Sequence, residues 1–134
     1  MRILVDADAY IALYSKSDAL NNKAQQVLKR ISNKRAKIFT TYDVVDEVTT
    51  KLSYHVSKKA SLKFLDELNI TETEIIFPTE SSFTNTIKKI ASIKSERVSF
   101  TDCANMAACK EYDMDAIFSF DKVYEKQGLK TLKP

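Results

Sequence analysis

Apolar residues follow two rhythms along this chain. Short, nearly continuous apolar runs fall at 1–6, 37–40, 74–77 and 116–120. They are too brief and too apolar for surface helices, so they read as buried strands. Between them, apolar residues return every three or four positions, the helical period. Helices are expected over 8–15, 19–32, from Thr41 or Asp43 to about His55, over 57–68, from Thr79 or Ser81 to about Ile93, from Ser99 or Thr101 onward, and briefly after Asp121. Asp18 is expected to cap the second helix, with Ala24, Val27, Leu28 and Ile31 facing inward. Leu62, Leu65 and Leu68 should share one side of the fourth. Pro78 ends the third strand, Gly128 suits a helix stop, and a last edge strand is expected near Lys130–Leu132. Strands alternating with helices imply right-handed crossovers and a mostly parallel sheet covered on both faces, an α/β fold in one domain, 1–134.

Acidic residues punctuate this pattern where it matters. Asp6 closes the first apolar run and Asp121 stands just past the fourth, while Asp102 falls in the first turn of the helix entered at Ser99 or Thr101. A carboxylate there is favoured by free backbone N–H groups and the helix dipole. In open parallel sheets, ligands bind outside the carboxyl ends of the strands, so these three acids are expected on one edge. In the third helix Asp43, Asp46 and Glu47 compete for a fourth place. Val44, Val45, Val48 and Leu52 define its buried stripe; Glu47 lies about 110° from the stripe's centre and the two aspartates about 150°. Glu47 therefore borders the buried face, and Asp43 and Asp46 point to water.

Composition narrows the chemistry chiefly by what it lacks. The single glycine, Gly128, excludes phosphate-cradling P-loops and dinucleotide-binding GxGxxG turns. The single histidine, His55, excludes HExxH zinc sites and paired-histidine catalysis, and its polar helical setting makes it a surface residue. Cys103 and Cys109 lie about 120° apart on a helix and are expected as two buried thiols. No apolar run is long enough to span a membrane and no leader precedes the first strand, so a cytosolic, cytoplasmic protein is expected. Carboxylates and a metal ion are the reagents left.

Four segments, VDADAYIAL, TTYDVVDEVTTKL, SFTDCANMAA and IFSFDKVYEKQGLKTL, resemble the motif blocks of the PIN-domain ribonucleases, closest to the small VapC-type toxins of toxin–antitoxin pairs. The resemblance runs from Ile3 to Leu132. It implies a three-layer α/β/α PIN-like fold, with the family's acidic quartet falling on Asp6, Glu47, Asp102 and Asp121 as catalytic and metal-binding residues. Two positions depart from the family's pattern. Asp8 stands where a small polar residue is usual, as an added ligand or, by preference, a helix cap; Ser119 replaces a threonine but keeps the hydroxyl. The resemblance further implies an RNA substrate, a small antitoxin whose tail covers the acidic cleft, and a homodimer formed through helices. The apolar faces of 44–52 and 62–68 are candidates for that contact.

The residue types fit this chemistry. Two carboxylates about 4 Å apart repel by roughly 4 kcal/mol at an effective dielectric near 20, and a hard divalent ion, Mg²⁺ or Mn²⁺, relieves that repulsion through oxygen ligands. Such an ion activates water and polarises a phosphodiester oxygen. The net charge is only +3, but its distribution suits a polyanion. Lys23, Lys29, Arg30, Lys34, Arg35 and Lys37 form one acid-free group and Lys51, Lys58, Lys59 and Lys63 another, and Lys88, Lys89, Lys94 and Arg97 make a third basic group. Solvated helix faces explain these groups equally well. Two rival readings remain. One is a PIN-like module that binds RNA or protein, either without catalysis or as a small RNA-processing nuclease. The other is a haloacid-dehalogenase-type phosphatase using Asp6 of the Asp6-Ala7-Asp8 triplet as nucleophile, although Tyr10 and the missing Gly-Asp pair disagree with that motif.

Overall fold

In a computed structural model describing residues 1–134, the chain runs β1 (Arg2–Val5), α1 (Ala7–Tyr14), α2 (Asn21–Asn33), β2 (Lys37–Thr41), α3 (Tyr42–His55), α4 (Lys58–Ile70), β3 (Glu74–Ile76), α5 (Glu80–Ser92), α6 (Phe100–Glu111), β4 (Ala116–Phe118) and α7 (Val123–Lys126). The four strands form one parallel sheet in the order β3-β2-β1-β4. The expected edge strand shrinks to one bridge, Ile117 with Thr131. Lys130 and Leu132 both bond to Ile117, and no further ladder forms.

The alternation of side chains along β1 and β4 divides the core into two layers. Ile3, Val5, Ala116 and Phe118 pack with buried residues of α1, α2, α3 and α4. Leu4 and Ile117 face the other way, against Met106, Ala108 and Cys109 of α6 and Tyr124 of α7. This is a three-layer α/β/α arrangement, and its period-two pattern is the one buried strands impose. Both cysteines are buried and free, and His55 is exposed. Burial, with the charge of Asp6 second, pushes the Cys109 thiol up to about 12.

Side-chain caps start most helices: Asp6 for α1, Thr41 for α3, Ser57 for α4, Thr79 for α5 and Ser99 for α6. Asp18 does not cap α2. It accepts from Leu20 N–H in the preceding turn, and α2 begins without a side-chain cap. Two leucines also depart from expectation, Leu28 and Leu62, both exposed. The packed stripe of α2 is Ala24, Val27 and Ile31, and that of α4 is Ser61, Phe64 and Leu68, because Phe64 stacks edge-on against Tyr10 and Tyr14. The α3 stripe Val44, Val48 and Leu52 is wholly inside the protomer, so it is core and no dimer surface. After α7, Gly128 takes φ +80°, a left-handed stop open to glycine at little cost.

Candidate active site

Strand order creates the site. From β1 the chain moves to β2 and β3 on one side, then returns to place β4 on the other side of β1. The segments leaving β1 and β4 diverge to opposite faces, α1 in one layer and α7 in the other. A crevice opens at such a switch point. Asp6 leads out of β1 while its N–H still bonds Phe118 O at 3.0 Å, so its side chain emerges beside the end of β4. There it is buried.

Three neutral side chains bind the acids into one network. Asp6 Oδ1 accepts from Ala7 N–H at 2.7 Å and from Asn105 Nδ2 at 2.9 Å. The hydroxyl of Ser119 lies 2.9 Å from Asp6 Oδ2 and 3.1 Å from Asp8 Oδ2. Its single proton serves one of these carboxylates at a time. Asp121 N–H donates to Ser119 Oγ at 3.1 Å, and Asp121 Oδ1 accepts from Val123 N–H at the start of α7. Across the crevice Asn105 Nδ2 also donates to the Tyr124 hydroxyl at 3.0 Å, which donates to Asp102 Oδ1 at 3.3 Å. Thr41 donates to Asn105 Oδ1 at 2.8 Å. Asp102 Oδ2 accepts from Ser99 N–H, completing a capping box.

The electrostatics follow from burial. Removal from water, with the neighbouring charge of Asp8, pushes the Asp6 carboxyl up to about 7 despite its hydrogen bonds. Asp8 is raised for the same first reason, and the charge of Asp121 adds to it. Burial also raises the Tyr124 hydroxyl strongly, with Asp6 next in effect, so it remains a proton donor to Asp102.

Asp6 and Asp102 thus come to one edge, joined in series through Asn105 and Tyr124, and Asp121 is anchored there by its backbone N–H on Ser119. Asp8 joins them and does not cap α1: Asp6 is the cap, while Asp8 Oδ2 reaches across to accept from Phe120 N–H at 2.9 Å. Glu47 shares no hydrogen-bond partner with them. It pairs with Lys51 at 2.6 Å and lines a polar hollow of about 330 Å³ with Asp43, Asp46, Ser99 and Thr101. The hollow adjoins Asp102 through Ser99 and Thr101 of the same helix start. Asp43 is half-buried, contrary to the helical-wheel expectation, and burial raises its carboxyl. A cleft of about 540 Å³ among α1, α2 and α4 contains none of these acids.

Asn105 and Tyr124 escaped the sequence reading, and Thr41 was expected only as a possible start of α3. Asn105 carried a signal, an amide inside the buried stripe of α6 three residues after Asp102. Nothing about Tyr124 or Thr41 distinguishes it in sequence from a core residue or an ordinary cap.

As a cation site the edge fits in donor chemistry. Its ligands are hard oxygens, and Asp8 Oδ1 is buried without a hydrogen-bond partner. No three acidic, histidine or cysteine side chains meet at the spacing that would ligate one ion; Asn105, Ser119 and Tyr124 stand between the carboxylates.

The PIN domain family model matches residues 3–128 of this chain. The chain belongs to the PIN domain family. No curated protein matches it significantly in sequence. Among solved structures, this PIN domain is similar in fold to Mycobacterium tuberculosis VapC20, a sarcin–ricin loop cleaving toxin, with TM-score 0.86, 19 % identity and 98 % and 99 % of the two chains covered. It is also similar to Rickettsia felis VapBC2 bound to a DNA fragment from their promoter, with TM-score 0.74, 12 % identity and 98 % of each chain covered. VapBC-1 from nontypeable Haemophilus influenzae gives TM-score 0.72 and 12 % identity, covering 99 % and 98 %. No helix is long and apolar enough to cross a membrane.

Proposed function

We propose that this PIN domain is a divalent-metal-dependent endoribonuclease that hydrolyses RNA phosphodiester bonds and acts in the cytoplasm as the toxin of a type II toxin–antitoxin pair. The observation carrying this reading is the joining of the Asp6, Asp8 and Asp102 carboxylates through Ser119, Asn105 and Tyr124 at the switch point of the sheet, with Asp121 held beside them by its backbone N–H on Ser119. Asp6, Asp102 and Asp121 would hold Mg²⁺ or Mn²⁺, with Asp8 beside them and Glu47 approaching from the hollow next to Asp102. When bound, such an ion supplies Lewis acidity toward the phosphodiester and activates water.

The chain's own groups do the positioning. Asn105 and Ser119 aim the carboxylate of Asp6, and Tyr124 aims that of Asp102. Glu47 is tied to Lys51 in this arrangement. If a phosphate draws Lys51 away, Glu47 is freed to hold the attacking water or to join the ligands. The likeness to VapC20 and the two VapBC structures supports the toxin reading. An antitoxin would silence the protein by covering the acidic edge, and the active form would be a homodimer. Since the α3 stripe is core, the dimer contact must use other surfaces.

The test is cleavage of RNA by purified protein in Mg²⁺, in Mn²⁺ and in EDTA, beside Asp6→Asn and Asp102→Asn. Cleavage only with metal, lost in both variants, is expected. Undiminished cleavage in EDTA would end the metal proposal, and its absence in every condition would favour a non-catalytic RNA-binding module.

A further inference from the structure

The cleft among α1, α2 and α4 combines three features. Its walls are mostly aliphatic, with Val5, Leu13, Ile31, Ile38 and Leu68 beside the ring of Phe118. Its volume, about 540 Å³, is that of a site for a small organic molecule. Leu28, expected inside from its place in α2, lines this cleft instead and stays exposed.

One polar group among these walls has no partner. Tyr10 lines the cleft and is 7 % exposed, and its hydroxyl is buried without a hydrogen bond. Thr40 and Thr73 lie close enough to act on it, but neither meets it in bonding geometry. Thr40 donates to Val5 O at 3.0 Å, and Thr73 shares a proton with Thr71 at 2.9 Å. The Tyr10 ring is fixed by packing, edge-on against Phe64 with centroids 4.9 Å apart. A buried hydroxyl that bonds to nothing is costly.

The exposed charges of the cleft are mainly of one sign. Lys16, Arg35 and Lys63 line it against one carboxylate, Glu67. Glu67 is engaged by the Tyr14 hydroxyl and, at 3.9 Å, by Lys63. Lys16 and Arg35 form no ion pair, and α2, which lies between them in the chain, contains no acid. A matching occupant has an apolar body, an anionic group for Lys16 and Arg35, and an oxygen for the Tyr10 hydroxyl. A polynucleotide brings charge but no aliphatic surface for these walls. A second copy of this chain would set the three cations against themselves across a two-fold axis.

We propose that this cleft binds a small amphipathic acid, an aliphatic chain with a carboxylate at one end and a hydrogen-bonding oxygen at the other. The carboxylate pairs with Lys16 and Arg35, the chain covers the aliphatic walls, and the far oxygen accepts from Tyr10. Such a ligand removes apolar area from water and satisfies the orphaned phenol. None of the acids of the proposed active site lines the cleft, so this assignment stands or falls apart from the nuclease reading.

Isothermal titration calorimetry on the full chain tests it, with ω-hydroxydodecanoate, dodecanoate and α,ω-dodecanediol, each below its micelle-forming concentration. The hydroxy acid is expected to bind once per chain. The double variant Lys16→Gln/Arg35→Asn removes both unpaired cations, and asparagine tolerates the φ of +49° at position 35. It should weaken both acids about threefold or more and leave the diol within about twofold of wild type. Tyr10→Phe keeps the ring and loses the hydroxyl. It should weaken the hydroxy acid about fivefold and leave dodecanoate within about twofold. Urea midpoints confirm that each variant folds. No saturable binding of the hydroxy acid overturns the proposal and leaves the cleft to apolar side chains of a partner protein. Equal losses for all three probes in both variants overturn it too. So does binding of many molecules per chain without saturation, which is the behaviour of a detergent.

Discussion

Replacing Asp6 by asparagine should stabilise this protein at neutral pH while abolishing its activity. Asp6 is buried, and its carboxyl is pushed up to about 7 from an ordinary 3.8 by desolvation and by Asp8. A folded-state value above the unfolded one favours the folded protein most fully below the unfolded value. Stability is then lost as pH rises from about 4 through about 7, because only the unfolded chain ionises freely over that window. A rise of about three units corresponds to roughly 4 kcal/mol at most. Asp8 is raised alongside and shares the Ser119 proton, so part of this penalty belongs to the pair. About 2–4 kcal/mol is the expected gain from removing the charge.

Asparagine fits the site without orphaning a group. Its oxygen can accept from Ala7 N–H and Asn105 Nδ2, and its amide can donate to Ser119 Oγ, whose proton then turns to Asp8. Urea unfolding in EDTA across pH 4 to 8 is the assay. The wild type should lose stability relative to Asp6→Asn as pH rises, and the difference should vanish near about pH 4. Adding Mg²⁺ or Mn²⁺ at neutral pH should stabilise the wild type by about 2.7 kcal/mol at a hundredfold excess over Kd, and the variant far less. Equal or lower stability of Asp6→Asn at neutral pH, with parallel pH profiles, would refute the account of Asp6 as a strained buried carboxyl.

Three further substitutions probe the supports of the site. Asn105→Leu strands the Thr41 hydroxyl and removes donors from Asp6 and Tyr124, and should cost about 2–4 kcal/mol, read as a fall in calorimetric Tm. Ser119→Ala removes the hydroxyl that Asp6, Asp8 and Asp121 share; cleavage should fall about 10–100-fold while the urea midpoint shifts by the equivalent of about 1 kcal/mol. Gly128→Ala adds a methyl group with nothing within 4 Å, so its cost, about 1 kcal/mol, comes from φ +80° alone, and Gly128→Asn should recover part of it in thermal unfolding.

How far the site could be read from sequence depends on whether a residue interrupts a pattern or hides in one. Asp6 and Asp121 end apolar runs, and Asp102 sits in a capping position, so each breaks a rhythm where a parallel sheet opens its crevice. Strand and helix order were legible for the same reason, since period two and period three-to-four differ sharply. Leu28 and Leu62 misled because each continues a periodic leucine pattern beside the true packing stripe, and only neighbouring elements decide which side is covered. Asp8 misled because its first-turn position suggests a local role, whereas the backbone of Phe120, far along the chain, claims its carboxylate. Asn105 and Tyr124 lie in buried stripes where an amide or a phenol resembles a tolerated core residue. Their importance comes from whom they meet: two carboxylates from β1 and α6 that neither could name without the fold. An acidic edge therefore announces its charges in the sequence and conceals the neutral donors that hold those charges apart. Under the proposed metal reading, those donors set how far the carboxylates would have to move to share an ion.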